Sequence, residues 1–459
     1  MLDDTIFYSS LLICMSLGSY YKKIQDPEIK RNYGAGLGIL VACLICGHHI
    51  YHSVLMVWGN IIIIKCCDKR YLHQMSLAFT WIYLFYIHLN LTGTYIIWIH
   101  QMLALRLVGL AFEMRALEKP KFEPKAASTS TVVAADNTMM EPTAVDIISY
   151  AYYFIGLHKG PYYRWKTFDD HFKVPFGVLG DCRVITEQKL KKALICAVGY
   201  ILLYMKYSPE VLIFYPQVNE ISISDFDNPY DKLKFLIIYE MITYIFHDTN
   251  IKINIYHNKL VYPTPNQIPA ILKDNHDSPI GGHIGSNRIA DTRDVALEQE
   301  YNFTMLKCFE NDKLLLGPRM KNTVKSWDMP TRYWFGTYIY KNMLLSNKEV
   351  RSAFSFFMYT MWLGPSFSQV IVTSTLWVYL HLEAEYSELY KSHGSLKAPW
   401  DVGYSLMRIF CLIYLTPCFV IQDAATILKY YNSIFWIYHI VMFFLILLAI
   451  VIYKNRGQT

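Results

Sequence analysis

Gly34 to Ile64 reads GAGLGILVACLICGHHIYHSVLMVWGNIIII, and this stretch decides the fold class. A bilayer core takes about 20 mostly apolar residues per crossing helix, so the run is too long for one crossing. It reads as two helices meeting near Cys46-Gly47-His48-His49-Ile50-Tyr51-His52. Further runs lie to either side. Thr5 to Tyr21 has no basic flank before it and no small-residue cleavage site after it, so it reads as a retained membrane helix. Met75 to Leu89, Tyr95 to Phe112, the amphipathic Ala144 to Leu157, Leu190 to Tyr207 and Leu233 to Tyr256 follow. The last third adds Tyr333 to Leu345, Ala353 to Leu363, Phe367 to Leu382, Tyr404 to Ile421 and Ser433 to Tyr453. Together they predict an all-α, polytopic integral membrane bundle with roughly ten to twelve embedded helices.

Composition points the same way. Of 459 residues, 53% are hydrophobic, 16% aromatic and only 17% charged, against roughly 25% charged in soluble domains. A net charge of +6 without an uninterrupted basic tract argues against nucleic acid as a partner. The positive side chains sit in short connectors (Lys22, Lys23, Lys30 and Arg31; Lys65, Lys69 and Arg70), where they can meet anionic headgroups. Cysteines are scattered, several inside apolar runs, so no disulfide framework or zinc spacing follows. The chain divides into N-terminal helices over 1–114, a polar loop over 115–142, a core over 143–430 and a final helix with its tail over 431–459. The loop's central EKPKFEPKAASTSTVVAADN cannot bury enough surface to offset chain entropy. A second polar stretch runs from Asn258 to Gln299.

His48 and His52 share a helical face, yet a metal needs a third ligand and none is identifiable nearby. Asp169-Asp170-His171 follows a Gly-Pro turn and reads as a charged loop. The sequons at Asn90 and Asn302 lie against apolar segments and carry little weight. The informative residues are Lys325-Ser326-Trp327-Asp328-Met329-Pro330-Thr331-Arg332-Tyr333-Trp334-Phe335-Gly336-Thr337-Tyr338-Ile339-Tyr340-Lys341, then Met361-Trp362-Leu363-Gly364-Pro365. With Cys46-Gly47, Ser149-Tyr150, Gly156-Leu157, Gly160-Pro161, Arg164 and Leu428-Lys429-Tyr430-Tyr431, they make the chain resemble the membrane-bound O-acyltransferase family, in its lysophosphatidylinositol acyltransferase branch.

That resemblance implies a chamber open to water for the CoA head and to lipid for the acyl chain. It implies transfer of a long-chain acyl group from acyl-CoA, the co-substrate, to lysophosphatidylinositol in an endoplasmic-reticulum-type membrane, with no permanently bound cofactor and no metal. The family pairs Trp-Asn in the first segment with Trp-His-Gly in the second, the His acting as general base and the Asn orienting or polarising the reacting groups. Here the matching positions are Asp328 and Leu363. Leucine has no lone pair, and loss of a general base typically forfeits 10²- to 10⁴-fold in rate. An ionised carboxylate would repel a developing oxyanion, whereas a protonated Asp328 could donate to it or, ionised, serve as base. The bland alternative makes Asp328 a helix cap before Pro330. Trp327, Trp334, Tyr338, Lys341 and Trp362 are the candidates for substrate contact. The competing function is a non-catalytic homologue that binds acyl-CoA or lysolipid or scaffolds a membrane partner.

Overall fold

The computed structural model describes residues 2–21, 23–116, 141–173, 308, 317–343, 347–389, 397–420 and 423–456, with isolated positions 191 and 198. Apart from positions 191 and 198, the expected segments at 190–207 and 233–256, the polar stretch 258–299 and Asn302 lie outside these residues, as does most of the 115–142 loop. Among the described residues all regular structure is helical.

The helices are α1 (Leu2–Tyr21), α2 (Pro27–Cys46), α3 (Ile50–Cys66), α4 (Leu72–Asn90), α5 (Thr94–Ala116), α6 (Ala144–Tyr152) and α7 (Trp165–Lys173). Then come α8 (Met320–Ser326), α9 (Met329–Trp334) running into a π-helical turn Phe335–Tyr340, α10 (Lys348–Leu363) and α11 (Phe367–Leu389). The chain ends in α12 (Lys397–Leu415), the short α13 (Pro417–Val420), α14 (Ala424–Ser433) and α15 (Ile437–Arg456). The long opening run breaks where the sequence places the break, at a 3-10 turn Gly47–His49 with Gly47 at φ 52°. Counted through that turn, Pro27–Cys66 is a 40-residue apolar stretch. It and Thr94–Ala116 are long and apolar enough to cross a membrane, and α14 with α15, bent by 65°, adds a third span if taken as one. Tyr333 to Leu345 is not one helix: the π-helical turn ends it at Tyr340. Asp169-Asp170-His171 is not a loop but part of α7, with His171 Nε2 2.7 Å from the Tyr21 hydroxyl.

Two apolar clusters organise the bundle. One joins α1–α6, the 153–163 connector and α7 to the π-helical turn and α10; the other joins Met320 of α8 to α11, α12, α14 and α15. The first is built around α5, whose residues from Ile99 to Phe112 are all buried. Two of its charged side chains stand seven residues apart, two turns on one face. Arg106 donates to the carbonyls of Tyr150 (3.2 Å), Ala151 (2.9 Å) and Tyr153 (2.9 Å), and to that of Ile155. Those oxygens lie at and beyond the last turn of α6, where helical carbonyls lack intrahelical partners and the dipole favours a cation. Glu113 accepts the first backbone N–H groups of α7, from Trp165 (3.3 Å) and Lys166 (3.2 Å), and the Tyr338 hydroxyl (2.8 Å). One helix thus caps the end of α6 and the start of α7, and fixes the connector between them.

Local sequence supports this placement. Thr143 and Asp146 form a capping box that starts α6, and Arg31 of α2 pairs with Asp146. Gly38 lets α2 and α6 touch: a Cβ there would stand 1.6 Å from the Tyr152 carbonyl oxygen. In the second cluster Glu383 of α11 accepts Met320 N–H (2.8 Å) and Lys321 N–H (3.3 Å), capping α8 in the same manner.

Arg106→Met keeps the length of the side chain and removes every donor. Each buried carbonyl left unmet costs about 1–3 kcal/mol. The variant should therefore melt well below the wild type in nanodiscs, by ten degrees or more, or fail to accumulate as a folded species on size-exclusion chromatography.

Candidate functional site

Asp328 sits between α8 and α9, half-buried and at φ 41°, ψ 58°. This left-handed conformation is disfavoured for most residues, and Asn and Asp visit it most readily among those with a side chain. An Asn or an Asp at this position would meet the same backbone requirement, whatever their chemistry. Asp328 occupies the N-cap position of α9, with Pro330 in the first turn. Loss of hydration raises the Asp328 carboxyl above its ordinary value, opposed first by Thr331 and then by the positive charge of Lys159.

Lys159 belongs to the connector between α6 and α7. Its Nζ lies 3.5 Å from Gln101 Oε1, 4.4 Å from the Trp98 ring centre and 6.0 Å from that of Trp362. Burial brings its ammonium down to about 8, and the Asp328 carboxylate opposes that fall. The same carboxylate acts on the Tyr359 hydroxyl of α10, whose ring stacks on Trp362 at 5.9 Å. Asp328, Lys159, Tyr359 and Trp362 therefore form one neighbourhood, built from three separate parts of the chain.

Leu363 is the last residue of α10, half-buried against the first cluster. Gln101 holds the backbone there: its Nε2 donates to the carbonyls of Trp362 (2.9 Å) and Leu363 (3.3 Å), while Trp362 Nε1 donates to the Gln101 carbonyl (3.0 Å). His88 Nε2 also reaches the Trp362 carbonyl, at 3.1 Å. Gly364 follows at φ 115°, where a Cβ would meet the His88 ring at 2.9 Å, so glycine is required for both conformation and space.

The aromatic candidates fall into two kinds. Trp334 and Trp362 are buried, and their indole N–H groups are committed to the α5 carbonyls of Leu105 (2.9 Å) and Gln101. Trp81 of α4 stacks on Trp334 at 5.4 Å and donates to Met358 of α10 (3.0 Å). These indoles fasten α4, α5, α9 and α10 together. Tyr338 is likewise engaged, by Glu113 and by Tyr162 (3.3 Å). Trp327 is 45% exposed and Lys341 exposed, so both stay accessible.

Lys159, Gln101 and His88 escape a reading by motif. Lys159 lies between the quoted Gly156-Leu157 and Gly160-Pro161 pairs, and its charge among aromatic residues was the available signal. The downstream histidines go elsewhere: His439 meets Thr375 Oγ1 (3.0 Å) and Tyr414 OH (2.7 Å) in the second cluster. His381 Nε2 stands 3.8 Å from a Glu349 carboxylate oxygen. Among the described residues Glu349, His381 and Glu385 bring metal-ligating atoms within 4.8 Å of one another, but these side chains are partly exposed and an ordinary ion pair accounts for them.

No family model matches the sequence. The chain is similar over nearly its whole length to curated proteins of one kind. It is 24% identical to the membrane-bound acylglycerophosphatidylinositol O-acyltransferase frj of Drosophila melanogaster, covering 96% of this chain and 90% of the relative. It is 22% identical to mboat7 of Danio rerio (96% and 92%) and 24% identical to MBOAT7 of Homo sapiens (95% and 91%), both named membrane-bound acylglycerophosphatidylinositol O-acyltransferases. The resemblance carried by the motifs thus extends over both apolar clusters.

Gln101→Leu removes the donor that the Leu363 carbonyl depends on, at a cost of about 1–3 kcal/mol for one unmet buried acceptor. A melting temperature lower by several degrees in nanodiscs is the expected result, read by intrinsic tryptophan fluorescence, with a red shift as Trp362 loosens.

Proposed function

We propose that this chain, a whole-length relative of the lysophosphatidylinositol branch of the membrane-bound O-acyltransferase family, is a membrane-embedded lysophospholipid acyltransferase. It moves a long-chain acyl group from acyl-CoA to the free hydroxyl of lysophosphatidylinositol, at an endoplasmic-reticulum-type membrane. The carrying observation is likeness over 95–96% of the chain to the three proteins so named. Meeting of the two motif segments at α5, through Gln101 and through the shared field of Asp328, is consistent with it.

The chemistry asks for an acceptor for the hydroxyl proton, donors for the charge that grows on the thioester oxygen, and exclusion of water from the thioester. Leu363 offers no acceptor. Asp328 offers a carboxyl that loss of hydration raises above its ordinary value, opposed by Thr331 and by the charge of Lys159. Leu363 therefore also favours a second reading, a homologue that holds acyl-CoA and lysolipid without joining them.

Purified chain in nanodiscs, given labelled acyl-CoA and a panel of lysophospholipids, separates the two. Label in phosphatidylinositol above a mock preparation is expected; retention of acyl-CoA without product would favour the binding protein. Leu363→His together with Asp328→Asn should raise transfer at least about tenfold, because an imidazole base and an orienting amide are placed beside a preformed backbone. Either change alone should do less.

A further inference from the structure

We propose that Lys159, as the neutral amine, is the general base of this chain, standing beside Leu363 where the family carries its imidazole. The inference rests on the acyl-transfer reading and deepens it. Gln101 carries the argument: one face of its amide donates to the carbonyls of Trp362 and Leu363, and its oxygen receives the Lys159 amine. A single side chain thereby ties the amine to the backbone of the substituted position. The connector that bears Lys159 is fixed at both ends by Arg106 and Glu113, so the amine is placed by the fold.

Among the described residues, the ammonium faces Trp98 and Gln101 from α5, Trp362 from α10 and the Asp328 carboxyl from the turn before α9. Its neighbour His158 is turned away to Ser10 (2.9 Å) and burial pushes it down to about 3, so it stays neutral. With the Lys159 ammonium at about 8, an appreciable share of the amine is free near neutral pH. An ordinary lysine, near 10.4, would not supply one.

In the step, the lysolipid hydroxyl oxygen attacks the thioester carbonyl while Lys159 Nζ takes its proton. The ester C–O bond forms and the C–S bond breaks. The ammonium then returns the proton to the departing thiolate, so CoA leaves as the thiol and Lys159 is again neutral. No oxidant, metal or further reactant enters.

The test uses the full chain in nanodiscs with oleoyl-CoA and lysophosphatidylinositol, from pH 6 to 9.5. The wild-type rate should rise with pH about a midpoint near 8, the value at which the ammonium loses its proton. Lys159→Met should lower the rate by about 10²- to 10⁴-fold while melting temperature and binding of a non-hydrolysable acyl-CoA thioether are kept. Lys159→Arg, which keeps the charge and cannot deprotonate, should be as inactive. Asp328→Asn removes the negative charge that favours the ammonium, so its midpoint should move to lower pH. Leu363→His placed in the Lys159→Met chain should restore transfer with a midpoint near the histidine value of about 6.5. Full activity of Lys159→Arg would make the residue an electrostatic contact and overturn the proposal. So would a stable N-acyl group found on Lys159, or loss of activity in His88→Gln with Lys159→Met unaffected. Transfer that Lys159→Met leaves unchanged rejects the base alone, whereas a wild type without transfer at any pH rejects the acyltransferase reading and the base together.

Discussion

Arg106 is a full positive charge buried in the middle of an apolar helix, and the rest of the first cluster is arranged to accommodate it. A charge so placed is stable only when its donors are met. Four carbonyls at and just past the end of α6 meet its two terminal nitrogens. Two turns further along the same face, Glu113 meets the opposite need, accepting the free N–H groups at the start of α7. One helix therefore supplies a cation to a helix C-terminus and an acceptor carboxyl to a helix N-terminus. The chain between those termini carries Lys159. The position of the amine is a consequence of charge placement on α5.

The motif tryptophans read differently once this frame is known. Trp334 and Trp362 spend their N–H groups on α5 carbonyls, and Trp81 reaches α10. Such bonds hold the motif segments against α5 whether or not a base stands at position 363. The setting of Trp-Asp and Trp-Leu-Gly therefore does not depend on the chemistry of Asp328 or Leu363. Gly364 and Asp328 add backbone reasons: each holds a positive φ, one with glycine and one with an Asx residue, and neither demand involves proton transfer.

Much of this was legible in the sequence. The apolar runs located α1, the α2–α3 break at Gly47, α4, α5 and the later helices, because hydrophobic length and glycine breaks act locally. The failures were of two kinds. Asp169-Asp170-His171 read as a loop because its letters are polar, yet Tyr21 gives His171 a partner 150 residues upstream, which pattern cannot show. The Tyr95-to-Phe112 run hid Arg106 under its average hydropathy, although an ionisable group inside such a run is itself a signal. The association of Gln101, Lys159, Asp328 and Leu363 was beyond any spacing rule, since it is made by three distant segments folding onto one helix.

The most direct measurement of this account is amine footprinting of the full chain in nanodiscs. A small amine-acylating reagent is applied between pH 7 and 9, with and without a non-hydrolysable acyl-CoA thioether, and peptides are read by mass spectrometry. The account predicts that Lys159 labels more as pH rises through about 8, and that the thioether suppresses its labelling while exposed Lys23 and Lys348 label equally in both. A Lys159 that stays unreactive at pH 9, or that labels equally with the thioether bound, would contradict it.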